Sequence, residues 1–270
     1  MTVGSFINEA VLKFNNSSIR TARLDAEVIT ADLLGVDRSW LQAHGDDELP
    51  SQQQVELTKK IDRRTKNEPV AYILGHKEFY GRNFIVNKDV LVPRSESESF
   101  IELLGSLNGF KSVLDVGTGS GCLAITVKLQ YPSIEVCATD ISEQALKLAS
   151  TNAKNLKASI KFNLQNLLDN DKNEYDVILA NLPYVPESMK DISIMHEPKI
   201  ALFSGEDGLN HYRQLFKQLS KFTVYSLQFT VLTEALPFQQ DELERIAKSA
   251  GFKQIESKDL IQVFSRLSTF

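Results

Sequence analysis

Two short stretches of this chain hold residue types whose spacing suits chemistry on a small ligand. In Val113-Leu114-Asp115-Val116-Gly117-Thr118-Gly119-Ser120-Gly121, an apolar run ends in three glycines at alternate positions. Glycines there tolerate positive φ and let a ligand approach the backbone, and a following helix offers N–H groups to an anionic end. About twenty residues on, Asp140 closes a second strand-like run, where a carboxylate can accept both hydroxyl hydrogens of a ribose. Loop and acid together predict a site for an adenosine-containing cofactor. The plainer alternative is a tight strand-to-helix turn beside a surface carboxylate.

The loop also bears on which cofactor. A dinucleotide site prefers Gly-x-Gly-x-x-Gly, whose third glycine permits close helix packing, but here Cys122 stands at the sixth position. Asp115, just ahead of the loop, can face an ammonium, which the methionine end of S-adenosyl-L-methionine carries and a pyrophosphate lacks. The expected ligand is therefore S-adenosyl-L-methionine, held by Asp115, Gly117, Thr118, Gly119, Ser120, Gly121 and Asp140.

The second stretch, Asn181-Leu182-Pro183-Tyr184, follows the strand-like run from Tyr175 to Ala180. Ligands in open α/β sheets bind at strand C-terminal ends, so this tetrapeptide should lie beside the glycine loop. A primary amide nitrogen is a poor nucleophile because its lone pair is delocalised. The Asn181 side-chain oxygen and the Leu182 main-chain oxygen can each accept one of its two N–H hydrogens, raising its electron density. Pro183 would fix the turn, and Tyr184 would offer a ring face on which a flat group stacks. An Asn-led turn with a packing tyrosine is the structural alternative.

Those residues need elements to position them. Val3, Phe6, Ile7, Ala10, Val11 and Phe14 recur at helical spacing, as do Leu24, Val28, Ala31 and Leu34, and a third helix is expected from Ser51 through Val55 and Ile61. A β-hairpin is expected between Gly75 and Pro93, turning at Asn87-Lys88-Asp89. From Lys111 onward strands are expected at 112–116, 134–139, 160–164, 175–180 and 222–232. Helices are expected at 142–155, 209–219 and 239–250, and two close final strands at 252–256 and 260–264. Such alternation implies a mostly parallel seven-stranded sheet, covered on both faces, with an antiparallel edge: a Rossmann-like α/β domain. The organisation expected is a helical domain over 1–74, a hairpin linker over 75–93 and the α/β domain over 94–270.

Composition sets limits. The 270 residues carry a net charge of −5, a poor match for a bulk polyphosphate partner. Lys59-Lys60 and Arg63-Arg64 read as one solvated helix face rather than a nucleic-acid patch. Cys122 and Cys137 lie in apolar runs, where reduced thiols are expected, and His44, His76, His196 and His211 lack ligand spacing, so no metal is expected. No run approaches the ~20 apolar residues of a membrane span, and no leader pattern opens the chain. A cytoplasmic setting is expected.

Beyond these motifs, the sequence resembles the PrmC/HemK family, methyltransferases that modify the glutamine side-chain nitrogen in the Gly-Gly-Gln motif of peptide chain release factors. The resemblance rests on Glu68-Pro69-Val70-Ala71-Tyr72-Ile73-Leu74-Gly75, Glu78-Phe79-Tyr80-Gly81, Asp89-Val90-Leu91-Val92-Pro93-Arg94, Glu197-Pro198, Ala201-Leu202 and Gly205 to Leu209. It implies a release factor as protein substrate, cofactor contacts that extend to Asn166, Leu167 and Asn181, and a glutamine held by Asn181 to Tyr184. It also implies that the helical domain helps grip the release factor. The chain departs from the family in having Leu182 where Asn-Pro-Pro-Tyr is usual, Asn166 in place of Asp, and Ser95 and Ser97 within the Pro-Arg-Pro-Glu-Thr-Glu segment. The Asn-Leu-Pro-Tyr loop is also similar to that of ribosomal RNA adenine dimethyltransferases, so the rival readings are an N6-adenine methyltransferase and a non-catalytic cofactor-binding homologue.

Overall fold

The structure is a computed structural model that describes residues 1–169, 171, 173–189, 191, 194–221 and 229–266. It divides into two compact units, one of residues 1–76 with 191–196, the other of residues 77–190 with 197–270.

The first unit contains α1 (Val3–Asn16), α2 (Ala22–Leu34), α3 (Arg38–Ala43), α4 (Ser51–Arg64) and α5 (Val70–Leu74). Thr2 caps α1 and Ser5 bonds back to it, satisfying two otherwise unpaired helix donors. Three helices were expected; α3 and α5, of six and five residues, are too short to show a period. The buried face of α1 is the expected one, with Val3, Phe6, Ile7, Ala10 and Phe14 buried, while those of α2 and α4 differ in part. Ala22, Ala26 and Ile29 of α2 and Leu57 and Ile61 of α4 point inward, whereas Leu24 and Val55 are exposed. The basic run of α4 is largely spent inside the unit: Lys60 pairs with Asp32 (3.1 Å), Arg63 with Glu68 (2.6 Å) and Arg64 with Asp25 (2.8 Å).

The hairpin consists of β1 (His76–Phe79) and β2 (Arg82–Ile85). Its turn is Tyr80-Gly81, with φ of +51° and +72°, not Asn87-Lys88-Asp89 as expected. Two central residues at positive φ match the twist of the flanking strands. Asn87 does form a turn, accepting from Asp89 N and Val90 N, but Val90 to Pro93 run on as irregular chain.

The second unit continues with α6 (Ser99–Ser106), β3 (Ser112–Val116), α7 (Cys122–Gln130), β4 (Glu135–Asp140), α8 (Glu143–Asn155), β5 (Lys161–Leu164) and β6 (Val177–Ala180). Then come α9 (Lys199–Leu202), α10 (Asn210–Lys221), β7 (Thr230–Glu234), α11 (Gln240–Ser249), β8 (Phe252–Lys258) and β9 (Ile261–Arg266). The sheet has seven strands in the order β5-β4-β3-β6-β7-β9-β8, parallel except where β9 joins β7 and β8. This bears out the Rossmann-like expectation with its antiparallel edge. Of the strand expected at 222–232, residues 222–228 lie outside the described residues.

Period-two alternation feeds two cores. Val113, Val177, Leu179 and Leu232 pack beneath α6 and α7, while Leu114, Ile178, Ala180 and Val231 pack against α10 and α11. The central strand β3 has β4 on one side and β6 on the other, so the strand order reverses there and a crevice opens beyond the carboxyl ends. Val116 is in register with both Thr139 and Ala180, so Gly117, Asp140 and Asn181 leave the sheet together.

Candidate active site

The glycine loop is held in the crevice by the strand next to it. Gly117 N and Thr118 N both donate to Thr139 O (2.8 and 2.9 Å), and Gly119 N donates to Asp140 Oδ2 (2.9 Å). Gly121 caps α7 at φ +82°, and a Cβ there would lie 2.9 Å from Ile125 Cδ1. No side chain fits between loop and helix, so this glycine serves packing, and it stands outside the cleft lining.

Asp115 does more than await a ligand. Its Oδ2 accepts from Thr118 Oγ1 (2.6 Å) and from Ala124 N (3.2 Å), tying strand, loop and α7 together. Burial pushes its pKa up to about 6 against those two bonds, and the Asp140 charge adds in the same direction. Asp140 Oδ1 accepts from Ser142 N (2.9 Å), at the cap of α8, and burial raises its pKa too. Asn166 donates only a long bond to Asp169 (3.3 Å), and Leu167 is buried at φ +51°, unusual for a branched apolar residue. Asn166 and Leu167 line the same cleft as the glycine loop, and so does Gln165, which sequence reading passed over.

Across the cleft, the Asn181 loop is fixed from behind. Asn181 Nδ2 donates to Ser97 Oγ (2.9 Å) and to Glu234 Oε2 (3.1 Å). Ser97 Oγ donates to the same carboxylate oxygen (2.6 Å), and Tyr184 OH donates to Glu234 Oε1 (2.7 Å). Tyr212 joins the ends of β6 and β7: its hydroxyl donates to Glu234 O (2.6 Å) and accepts from Glu234 N (3.2 Å). Among the described residues no group donates to Asn181 Oδ1 or Leu182 O. Both oxygens thus keep their accepting capacity, on two residues that line the cleft next to the glycine loop, where a Cβ on Gly117 would lie 3.2 Å from Leu182 Cδ2. Leu182 is itself buried in the core under α10, which accounts for an apolar residue in that place.

Asn181, Leu182 and Pro183 line the cleft, but Tyr184 does not. The Tyr184 hydroxyl is committed to Glu234, which fixes the ring at its edge and leaves its faces free of that bond, and burial pushes its pKa up. Ser97, Glu234 and Tyr212 were missed by sequence reading. The signal available for Glu234 was the same as for Asp140, an acid closing a β-branched run.

The chain after this loop buttresses it. Buried Glu197 accepts from Val92 N (2.9 Å) and pairs with Arg94 (2.5 Å), pinning the 92–94 segment at the cleft edge. Gly208 sits at φ +81° where any Cβ would run into Tyr184 O and Gln239 Nε2. Gly208→Ala should therefore destabilise the protein by about 1–3 kcal/mol and reduce turnover together with stability. A denaturant midpoint unchanged from the parent would contradict that packing role.

Cys122 and Cys137 are free and only partly buried, and burial pushes the Cys122 thiol up to about 12. Among the described residues no cluster of His, Cys, Asp and Glu could hold a metal, and no helix is long and apolar enough to cross a membrane.

Comparison with known proteins gives a consistent picture. Residues 5–75 match the model of the PrmC N-terminal domain, and residues 96–199 match the methyltransferase small domain. The release factor glutamine methyltransferase of Koribacter versatilis is 37% identical over 232 residues, covering 81% of each chain. That of Neisseria gonorrhoeae is 38% identical over 200 residues, 72% of this chain and 73% of its own. A bifunctional methyltransferase of Rickettsia bellii is 34% identical over 93% of this chain, which spans 51% of that longer protein. Among solved structures, a Pyrococcus furiosus methyltransferase (TM-score 0.50, 14% identity, 80% of this chain and 98% of that one) shares the fold. So does the hMettl16 catalytic domain in complex with a 3′UTR hairpin (TM-score 0.54, 14% identity, 80% of this chain and 81% of that one).

Proposed function

The chain belongs to the release factor glutamine methyltransferase family, and on that premise we propose that it moves a methyl group from S-adenosyl-L-methionine to a glutamine side-chain nitrogen. The glutamine is that of the Gly-Gly-Gln motif of peptide chain release factors. Translation termination and the cytoplasm are the setting that this substrate entails. The observation that carries the reading is the polarity of Asn181: its NH2 end faces Ser97 and Glu234, so its oxygen is the end offered to substrate.

When bound, the cofactor supplies an electrophilic methyl carbon. The chain supplies position and polarity. Asn181 Oδ1 and Leu182 O accept the two N–H bonds of the glutamine amide, which raises the electron density on its nitrogen and presents the lone pair, perpendicular to the amide plane, toward the methyl. With the cofactor in place, its methyl would pass to that nitrogen while the bonding pair stays on sulfur, and the surplus amide proton, already hydrogen-bonded to Asn181 Oδ1 or Leu182 O, would leave to solvent. Held alignment of this kind is worth on the order of 7–11 kcal/mol. Gly117, Thr118, Gly119, Ser120 and Asp140 hold the nucleoside end, with Gln165, Asn166 and Leu167 beside the base, and Asp115 faces the ammonium. An adenine nitrogen would suit the same two acceptors, but the relatives and the internally paired basic run of α4 both favour the protein substrate.

The test is transfer of a labelled methyl to a purified release factor. Label on release factor, and none on a variant whose motif glutamine is replaced, is the expected result; label on ribosomal RNA instead would reject it.

Asp115 adds a pH signature. Its raised pKa means that ionisation costs the free protein stability as pH rises toward about 6, a cost which a bound ammonium offsets. Cofactor affinity should thus be level above about pH 7 and weaken up to about tenfold per unit below pH 6, with Asp140 acting in the same sense. Titration calorimetry giving one affinity from pH 5 to pH 8 would refute the assignment.

A further inference from the structure

Glu234 is a buried carboxylate at the tip of β7, opposite the loop that leaves β6, and three side chains converge on it. Burial raises the Glu234 pKa, but the hydrogen bonds from Ser97 and Tyr184 and the Arg94 charge favour the ionised form, and an ionised carboxylate only accepts hydrogen bonds. Ser97 Oγ and Tyr184 OH must therefore aim their hydrogens at it (2.6 and 2.7 Å), and Asn181 must present its NH2 end (3.1 Å). Ser97 Oγ, having given its one hydrogen to Glu234, has only lone pairs left, and with Glu234 it shares the hydrogen bonding of the Asn181 NH2 end (2.9 Å). Every donor in the cluster is thus committed in one direction. The alternative orientation of Asn181, rotated by half a turn about its last bond, would set its oxygen against two acceptors and turn its NH2 toward the cleft.

We propose that Glu234 is the positioning residue of the methyl transfer: through Ser97 it sets the orientation of the Asn181 carboxamide, so that an oxygen and not an NH2 meets the incoming amide. The inference rests on the glutamine-methylation reading for its functional consequence, though not for its geometry. Glu234 itself is absent from the cleft lining and reaches it through Ser97 and Asn181, so the residue governs turnover more than cofactor binding. With Gln at 234, the cluster gains a donor and loses its charge. Both orientations of Asn181 then become available, and only one of them accepts substrate.

The test uses the whole chain and Glu234→Gln, which conserves volume, with Ser97→Ala as a milder second variant. Glu234→Gln should lower kcat by about 10–100-fold and Ser97→Ala by several-fold, both with cofactor affinity within about twofold of the parent. In an Asn181→Ala background, Glu234→Gln should change residual kcat by less than about twofold, because residues acting through one another are not additive. A residue that merely stabilised the fold would multiply its loss into that background, and such multiplication overturns the proposal. Orientation is read separately from activity. The Asn181 side-chain NH2 protons, followed by nuclear magnetic resonance, should exchange slowly in the parent and quickly in Glu234→Gln; equal exchange overturns it as well. A parent chain that methylates no release factor would reject the functional reading, while the exchange measurement still decides whether Glu234 orients Asn181.

Discussion

Asn181→Ala should leave S-adenosyl-L-methionine binding within about twofold of the parent and reduce kcat for methyl transfer by on the order of 10²–10³-fold. The substitution deletes one of the two acceptors that define the amide position and leaves the other, Leu182 O, on the backbone. With one acceptor the substrate nitrogen is tethered but not oriented, and its lone pair stays delocalised into the carbonyl. It also strips Ser97 and Glu234 of a shared donor, so a modest loss of stability should accompany the catalytic one. Single-turnover rates at saturating cofactor separate the two effects, because a loss confined to stability disappears once the folded fraction is counted. Equal turnover by parent and variant would remove Asn181 from the mechanism.

The second large effect is on binding. Asp140 accepts from the backbone at Gly119 and Ser142, yet a carboxylate offers about four lone-pair sites, so two remain for ribose hydroxyls. Hydrogen bonds to a charged acceptor contribute about 1.5–3 kcal/mol each. Asp140→Ala should accordingly weaken cofactor affinity by about 10²-fold or more, and should slacken the glycine loop through the lost Gly119 contact. Saturating cofactor should restore much of kcat. Calorimetry showing affinity within threefold of the parent would defeat the ribose assignment.

Much of this was legible in the residues because both motifs are local. A glycine at Gly117, an acid at Asp140 and an Asn at Asn181 each follow a strand, and the doubly wound sheet turns those separate positions into neighbours. The seven strands were legible for the same reason, since their apolar runs are bounded by glycines and polar turns. What escaped is what depends on partners distant in sequence. Glu234 lies 53 residues from Asn181, and Ser97 lies 84 away, and no pattern along the chain pairs them. The bond from Tyr184 to Glu234 escaped because the acceptor that an aromatic hydroxyl finds depends on the fold and not on its neighbours in sequence. The hairpin turn was misplaced because Asn87-Lys88-Asp89 has turn-forming residues too, while Tyr80, which takes a positive φ there, does not advertise one. In the helical unit, apolar spacing marked the right helices and the right face of α1, but not all of that of α2, since Ala22 and Ala26 pack as closely as larger residues while Leu24 faces out.

The most direct measurement is fragmentation mass spectrometry of a release factor incubated with this chain and S-adenosyl-L-methionine. One methyl on the side-chain nitrogen of the motif glutamine, absent when Asn181→Ala replaces the parent, is the predicted result. A methyl found on a backbone, on another side chain or on an adenine of RNA would contradict it.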